Sequence, residues 1–399
     1  MSDTAVGRLP FGRLLVLAGA VFSTMSTQFL PTGLLPDMAA DLDVSEPLVG
    51  QLLTIFAITV AVTAWPLALA TRRLPRKPLL VVVLALFAVT NLLCALVPEG
   101  EAGYAVLVGL RVIGGVLHGL TWGIAIPYTA ALVDRRQIAR GMTITNSGAS
   151  LAFLVGMPIT AAVGHAFDWR VSFAAMGVVI LGLALLTALA LPAVAAHGAP
   201  GPVSGDAPRD RSLLAVGIVA VTVLFIATGH NTFYAYIVPW TIQAGVDPAL
   251  VSLVLLGCGV AGFLGLVATA LFADRRPRTT FTLMVVLMVA GMLALAGWGS
   301  GLLLVVVFAI VWSLGWGGLP AQFNARALHD ASPRVRIVTG AVIASAFNLA
   351  IAIGGLLGGL VFTGSGVEAV PWWGTAIVAL GLVWVLATDR RRARLASKA

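Results

Sequence analysis

Charge is the scarcest property of this sequence. Asp, Glu, Lys and Arg make up 10% of its 399 residues, hydrophobic side chains make up 59%, and the mean hydropathy is +1.02. No soluble fold of this length can bury so much apolar surface, so the class is a polytopic α-helical membrane protein. The short alternating segments of a membrane β-barrel are missing, because the apolar runs are continuous. Cysteine is nearly missing too. Cys94 and Cys258 both sit inside apolar runs and read as inert buried thiols, silent on redox compartment. There is no zinc-ligand spacing, phosphate loop, nucleophile elbow or acidic pair within a run. Catalytic residues, cofactor and metal are therefore all expected to be none, and the chain is expected not to be an enzyme. The letters Gly257-Cys258-Gly259-Val260-Ala261-Gly262 match a dinucleotide fingerprint, but they lie mid-run rather than after a strand. A cleavable leader is not expected either, since Arg8 and Arg13 lead straight into a full-length run with no small-residue cleavage site.

What is present is length. Runs of about 20 residues, enough to cross a bilayer, occur near 12–34, 47–70, 79–97, 103–132, 141–164 and 170–192, and again near 212–240, 248–272, 280–299, 301–325, 339–363 and 370–388. Between the two sets lies AVAAHGAPGPVSGDAPRDR, 193–211, rich in Pro and Gly and without hydrophobic period, as a linker is. The expected organisation is an N-terminal six-helix bundle at 1–192, a cytoplasmic linker at 193–211 and a C-terminal six-helix bundle with a basic tail at 212–399. The net charge of +8 does not point to nucleic acid. All but two of the 24 Lys and Arg lie in the terminal segments, the linker or the loops after even-numbered runs. The exceptions are Arg111, inside a run, and Arg170. The opposite loops hold acids such as Asp41, Glu99, Asp168 and Glu368. By the positive-inside rule both termini face the cytoplasm. The halves also repeat. Arg73, Pro75 and Arg76 align with Arg275, Pro277 and Arg278 at an offset of 202. Parallel six-helix repeats place a substrate site near the bilayer midplane and work by rocking one half on the other.

Several stretches go further. They are FLPTGLLPDMAADLDVS (29–45), RRLPRK (72–77), RVIGGVLHGLTWG (111–123), GMP (156–158), FDWRVSF (167–173), GHNTFYAYIVPW (229–240) and SAFNLAIAIGGLLGG (345–359). On these the chain resembles the major facilitator superfamily, in particular its twelve-span drug:proton antiporter branch and, within that, the bacterial sugar and arabinose efflux proteins. The resemblance covers nearly the whole chain. It implies an all-α membrane protein of twelve transmembrane helices in two pseudo-symmetric six-helix bundles, set in the bacterial cytoplasmic (inner) membrane. It implies secondary active efflux of a small organic molecule (drug, sugar or metabolite) by alternating access, with protons as the antiported partner. The alternative is a uniporter or importer without proton coupling. A monomer is expected, with the lipid bilayer and a small-molecule substrate as its partners. Two positions depart from the branch. It usually reads Glu-Phe before the Leu-Pro of the first span, and here the slot holds Gln28. It usually carries an acid two residues before the Leu-Pro-Arg-Lys, and here that position is Arg72, while the second-half copy keeps Asp274.

The candidate pathway residues follow. Ser26-Thr27-Gln28-Phe29-Leu30-Pro31-Thr32-Gly33 is a polar kink inside the first span, and such a kink faces protein or water rather than lipid. Gln keeps an acceptor and a donor but cannot carry a proton. Arg111 stands mid-span, at a cost of roughly 2.5–3.5 kcal/mol on insertion scales. At 100° per residue, Gly115, His118 and Trp122 lie within about 40° of it. The guanidinium either binds substrate or tunes a proton site, or it clamps backbone carbonyls. His118 and His230 either titrate or stay neutral and hydrogen-bonded. His230, Asn231 and Tyr234 suggest a cavity wall in span seven, or else interhelical hydrogen bonds. Trp312, Trp316 and Asn324 fall on or near one face of span ten, and Asn348 is the lone strongly polar residue of span eleven. Gly156 and Pro158 should bend span five. The resemblance makes that bend a gating element, together with Arg73, Arg76, Asp274, Arg275 and Arg278, while solvated topogenic charge accounts for the same arginines. Gly354, Gly355, Gly358 and Gly359 are expected to serve helix packing.

Overall fold

The computed structural model describes residues 9–71, 73–134, 137–194, 210–273, 275–332 and 335–396. Its helices are α1 (Phe11–Gly33), α2 (Leu35–Asp41), α3 (Glu46–Ala70), α4 (Arg76–Cys94), α5 (Gly100–Leu132), α6 (Ile138–Leu151), α7 (Met157–Ala166), α8 (Trp169–Ala190), α9 (Arg211–Tyr234), α10 (Ile237–Gln243), α11 (Val251–Phe272), α12 (Pro277–Trp298), α13 (Gly301–Gly317), α14 (Leu319–Asp330), α15 (Arg336–Ser365) and α16 (Val370–Ala396). Twelve stretches among the described residues are long and apolar enough to cross a membrane, and they match the twelve apolar runs. Starts are set by local chemistry. Asp168 accepts from the N–H of Arg170 to cap α8, and Asp210 accepts from that of Ser212 to cap α9.

The first and seventh spans are each built from two pieces. Helix α1 stops at Gly33 and α2 resumes at Leu35, while α9 stops at Tyr234 and α10 resumes at Ile237. Leu34 and Tyr236 are 202 positions apart, the offset of the basic loops. The repeat therefore extends from loop sequence to helix shape. Around both breaks the chain is buried on all sides, over 26–35 and over 226–241. A helix enclosed by protein on every face can hold polar side chains that a lipid-facing helix cannot.

Contacts divide the chain into two compact units. One holds Met1–Leu30, Ala40–Val44 and Ile58–Val203, and the other Pro31–Ala39, Ser45–Ala57 and Ser204–Ala399. In the first, α4 packs on α8 and α5, and α6 on α5. A Cβ on Gly148 would stand 2.0 Å from Ala18 O, so α6 touches the backbone of α1 there. Arg170, the cation on the acidic side, is fully engaged. Its Nη2 lies 2.7 Å from Asp41 Oδ2, and its Nε and Nη2 both donate to Val97 O. One guanidinium thus fastens the chain after span one, after span three and before span six. At the other end of this unit, Tyr128 Oη donates to Pro192 O at 2.5 Å, joining spans four and six.

In the second unit α9 packs on α15 and α16, and α13 on α11 and α12. Small residues allow it, as helix association in lipid requires. A Cβ on Gly265 would stand 2.1 Å from Leu314 O, and one on Gly291 would stand 2.3 Å from Trp312 N. The four glycines of α15 serve two neighbours. Gly354 and Gly358 meet α9 at Thr228 and Thr232, while Gly355 and Gly359 meet Thr54 and Gln51 of α3. Residues 45–57 of α3 belong to this unit, and Thr54 Oγ1 donates to Ala352 O at 3.3 Å. Arg326 Nη2 pairs with Asp389 Oδ2 at 2.8 Å, and its guanidinium lies 4.1 Å from the Phe281 ring centroid. That contact joins spans ten and twelve, as Tyr128 and Pro192 join spans four and six.

Candidate functional site

The polar stretch of the first span is built around Pro31. A proline has no N–H, so the carbonyl four residues earlier, Thr27 O, loses its helical donor. Arg111 of α5 fills that gap. Its Nη1 donates to Thr27 O at 2.9 Å and its Nη2 to Gln28 O at 2.7 Å. The planar fork presents a separate N–H to each of two successive carbonyls in a fixed geometry. Of the two readings of Arg111, the geometry matches the clamp on backbone carbonyls. Two turns further along α5, His118 Nδ1 lies 3.3 Å from Thr24 O. The expected stripe is real: Arg111, Gly115 and His118 are buried and Trp122 is half-buried, with the Trp122 ring 6.3 Å from that of His118.

The side chains of the stretch are a different matter. Gln28 is 1% exposed, and neither its Oε1 nor its Nε2 has a hydrogen-bond partner among the described residues. Ser26 Oγ, Thr27 Oγ1 and Trp122 Nε1 are buried and unpartnered in the same way. Buried polar atoms are nearly always paired, so such a cluster asks for an explanation.

In the second unit the candidates sort into two groups. His230 stacks on Trp316 with centroids 3.8 Å apart and planes at 11°, and on Tyr234 at 5.1 Å and 18°. Trp312 adds a third ring at 5.1 Å from His230. Phe347 of α15 meets Trp316 edge-on. His230 Nδ1 and Trp312 Nε1 are buried with no partner among the described residues. The amides stand apart from this cluster. Asn231 Nδ2 donates to Ala227 O, Asn324 Nδ2 to Pro320 O and Asn348 Nδ2 to Ala344 O. Each bonds a carbonyl four residues back on its own helix, the local alternative open to short polar side chains. Asn324 lies beyond a turn at Gly318 that separates α13 from α14, and it is exposed. The face expected to join it to Trp312 and Trp316 is interrupted there. His230 and Asn231 are 4% and 2% exposed, so in this structure they are sealed by neighbouring helices rather than open to water.

The profile of the Major Facilitator Superfamily matches residues 16–344 of the chain. The chain belongs to that superfamily. It is a membrane transporter, and facilitators of similar sequence include a probable sugar efflux transporter of Helicobacter acinonychis. That relative is 28% identical over 380 residues, covering 94% of this chain and 95% of the relative. A probable sugar efflux transporter of Mannheimia succiniciproducens is 27% identical over 384 residues, with 96% and 94% covered. Solved facilitators share the fold. A bacterial homologue of the human lysosomal transporter Spinster, inward-facing and unoccupied, has a TM-score of 0.75 at 13% identity, over 96% of this chain and 98% of that one. A peptide transporter in complex with sulfate has a TM-score of 0.74 at 14% identity, over 97% and 96%.

The expected gating residues of this facilitator divide as well. Gly156 ends a π-helical turn, Ala152–Gly156, in which the N–H of Met157 reaches Ala152 O. Pro158 follows, so the bend expected of Gly156 and Pro158 takes the form of a widened turn. A Cβ on Gly156 would stand 2.2 Å from Ser26 Oγ, which brings the turn against the polar stretch. Arg73, Arg275 and Arg278 are exposed, and Arg76 is buried at the start of α4. Asp274 lies outside the described residues. Sequence reasoning missed Tyr236. It sits at the break between α9 and α10, donates to Gly355 O at 3.0 Å and fills the space beside Gly50. Its 202-residue correspondence with Leu34 was the available signal.

Proposed function

We propose that this facilitator exports a small polyhydroxylated molecule, a sugar or a sugar-like metabolite, by alternating access of the halves 1–192 and 212–399. Both termini lie in the cytoplasm of a bacterial cell, and the chain works as a monomer in the inner membrane. The observation that carries the reading is the set of four unpartnered polar atoms on Ser26, Thr27 and Gln28, buried inside a span. Hydroxyl groups both donate and accept, and so suit the mixed donors and acceptors of two hydroxyls and an amide. The names of the sequence relatives agree with it. Uptake of radiolabelled L-arabinose, D-xylose and D-glucose into inside-out vesicles tests it. Saturable uptake of at least one sugar, abolished by Gln28→Leu, is expected. Uptake no greater than in empty vesicles for all of them overturns the sugar reading.

Proton antiport is what the resemblance adds, with His118 or His230 as the carrier. A second reading has an observation of its own. Among the described residues no Asp or Glu is buried, and Gln28 occupies the slot where the resemblance to the antiporter branch implies an acid. These favour a carrier without proton coupling. Collapsing the pH gradient at constant voltage separates the two. Uptake that persists unchanged removes antiport.

A further inference from the structure

Two buried groups in the second unit have unmet hydrogen-bonding capacity of complementary kind. Trp312 is 0% exposed and its Nε1–H, which can only donate, has no acceptor among the described residues. His230 is 4% exposed and its Nδ1 has no partner there either. The two rings are 5.1 Å apart and tilted by 42°. The imidazole is held in place by its faces, stacked on Trp316 at 3.8 Å and on Tyr234 at 5.1 Å. Phe233 braces Trp312 at 5.0 Å. Neither ring can turn freely to find a partner elsewhere. A buried indole N–H usually finds one, and leaving it unmet costs about 1–3 kcal/mol.

We infer that Trp312 and His230 form a hydroxyl-recognition pair, in which one cargo hydroxyl accepts from Trp312 Nε1–H and donates to His230 Nδ1. The inference rests on the sugar reading above and adds which groups discriminate. A hydroxyl is the small group that satisfies both atoms at once. A carbonyl or ether oxygen accepts but cannot donate, and a quaternary ammonium does neither. A site built to bond a hydroxyl rejects the analogue that lacks it, because its own buried groups are then left unpaired. The pair thus selects sugars against equally bulky solutes without free hydroxyls.

Equilibrium dialysis of the purified, monodisperse chain against radiolabelled L-arabinose, D-xylose and D-glucose, each competed by its permethylated form, tests the pair. Wild type should bind at least one free sugar and prefer it over the permethylated form by about tenfold or more. Trp312→Phe and His230→Phe keep the ring stack and remove the polar atom, and each should bring that preference close to one. His230→Asn places a polar atom near the Nδ1 position and should restore much of it. Wild type that binds a free sugar with its preference unchanged in both Phe variants overturns the pair and leaves the sugar reading standing. Wild type that binds none of the three overturns the sugar reading and the pair with it. Loss in His230→Asn as deep as in His230→Phe, in a chain that still runs monodisperse, assigns His230 to packing and overturns the pair.

Discussion

At the scale of single residues, the energetic problem of this chain is how to keep Arg111 and Gln28 inside a membrane. Arg111 is held by the carbonyl that Pro31 leaves without a donor. Arg111→Lys keeps the charge but replaces the rigid fork with one nitrogen on a flexible stem, so it should lower the melting midpoint in detergent. The expected loss is about 1–3 kcal/mol, the cost of one buried carbonyl left unmet. The loss should not depend on added sugar, which distinguishes a clamp from a substrate contact. Gln28 behaves oppositely. Gln28→Glu should fold, and transport should acquire a pH dependence. A carboxyl gains and loses a proton where the amide cannot, and its ionised form loses the donor, so rates measured across neutral pH should vary where those of the parent do not. A flat profile removes Gln28 from the pathway. Arg111 and Gln28 were both visible in the sequence as misplaced polar groups. Their relation was not, because which face of span one meets span four is settled by packing rather than by periodicity. The amides of Asn231, Asn324 and Asn348 each donate to a carbonyl on their own helix, a local bond that the sequence pattern does not reveal.

At the scale of elements, close backbone contact decides what can change. A Cβ on Gly148 would stand 2.0 Å from Ala18 O, and one on Gly156 would stand 2.2 Å from Ser26 Oγ. A carbonyl cannot step aside, whereas a serine side chain can rotate. Gly148→Ala should therefore cost more thermal stability than Gly156→Ala, and equal losses would contradict the contact. Tyr236→Phe keeps the ring among Gly50, Gly358 and Gly359 and removes the bond to Gly355 O. It should cost about 0.5–1.5 kcal/mol of stability and speed hydrogen exchange over residues 45–57 relative to 58–70. The twelve spans were legible because twenty apolar residues admit one structure in lipid. The break in span one was legible from Pro31 and Gly33. The break at Tyr236 is marked by Pro239 in the first turn of α10, whose missing N–H leaves Ala235 O without a helical donor, and by its 202-residue correspondence with Leu34.

At the scale of the whole molecule, duplication shows in helix breaks and basic loops but not in the contacts that fasten each unit. Tyr128 donates to Pro192 O in one unit, and Arg326 pairs with Asp389 in the other. An ion pair is screened by salt and a hydroxyl–carbonyl bond is not. The stability lost in Arg326→Gln should therefore shrink between low and high salt, while that lost in Tyr128→Phe stays constant. Thermal melts at two ionic strengths read both. The shared grip of α3 and α15 also has a consequence in time. Thr54 and Ala352 are 298 residues apart, so at 5–20 residues per second they leave the ribosome roughly 15–60 s apart. Through that interval residues 45–57 reside in the membrane with Gly50 and Thr54 unmatched, until the eleventh span is made.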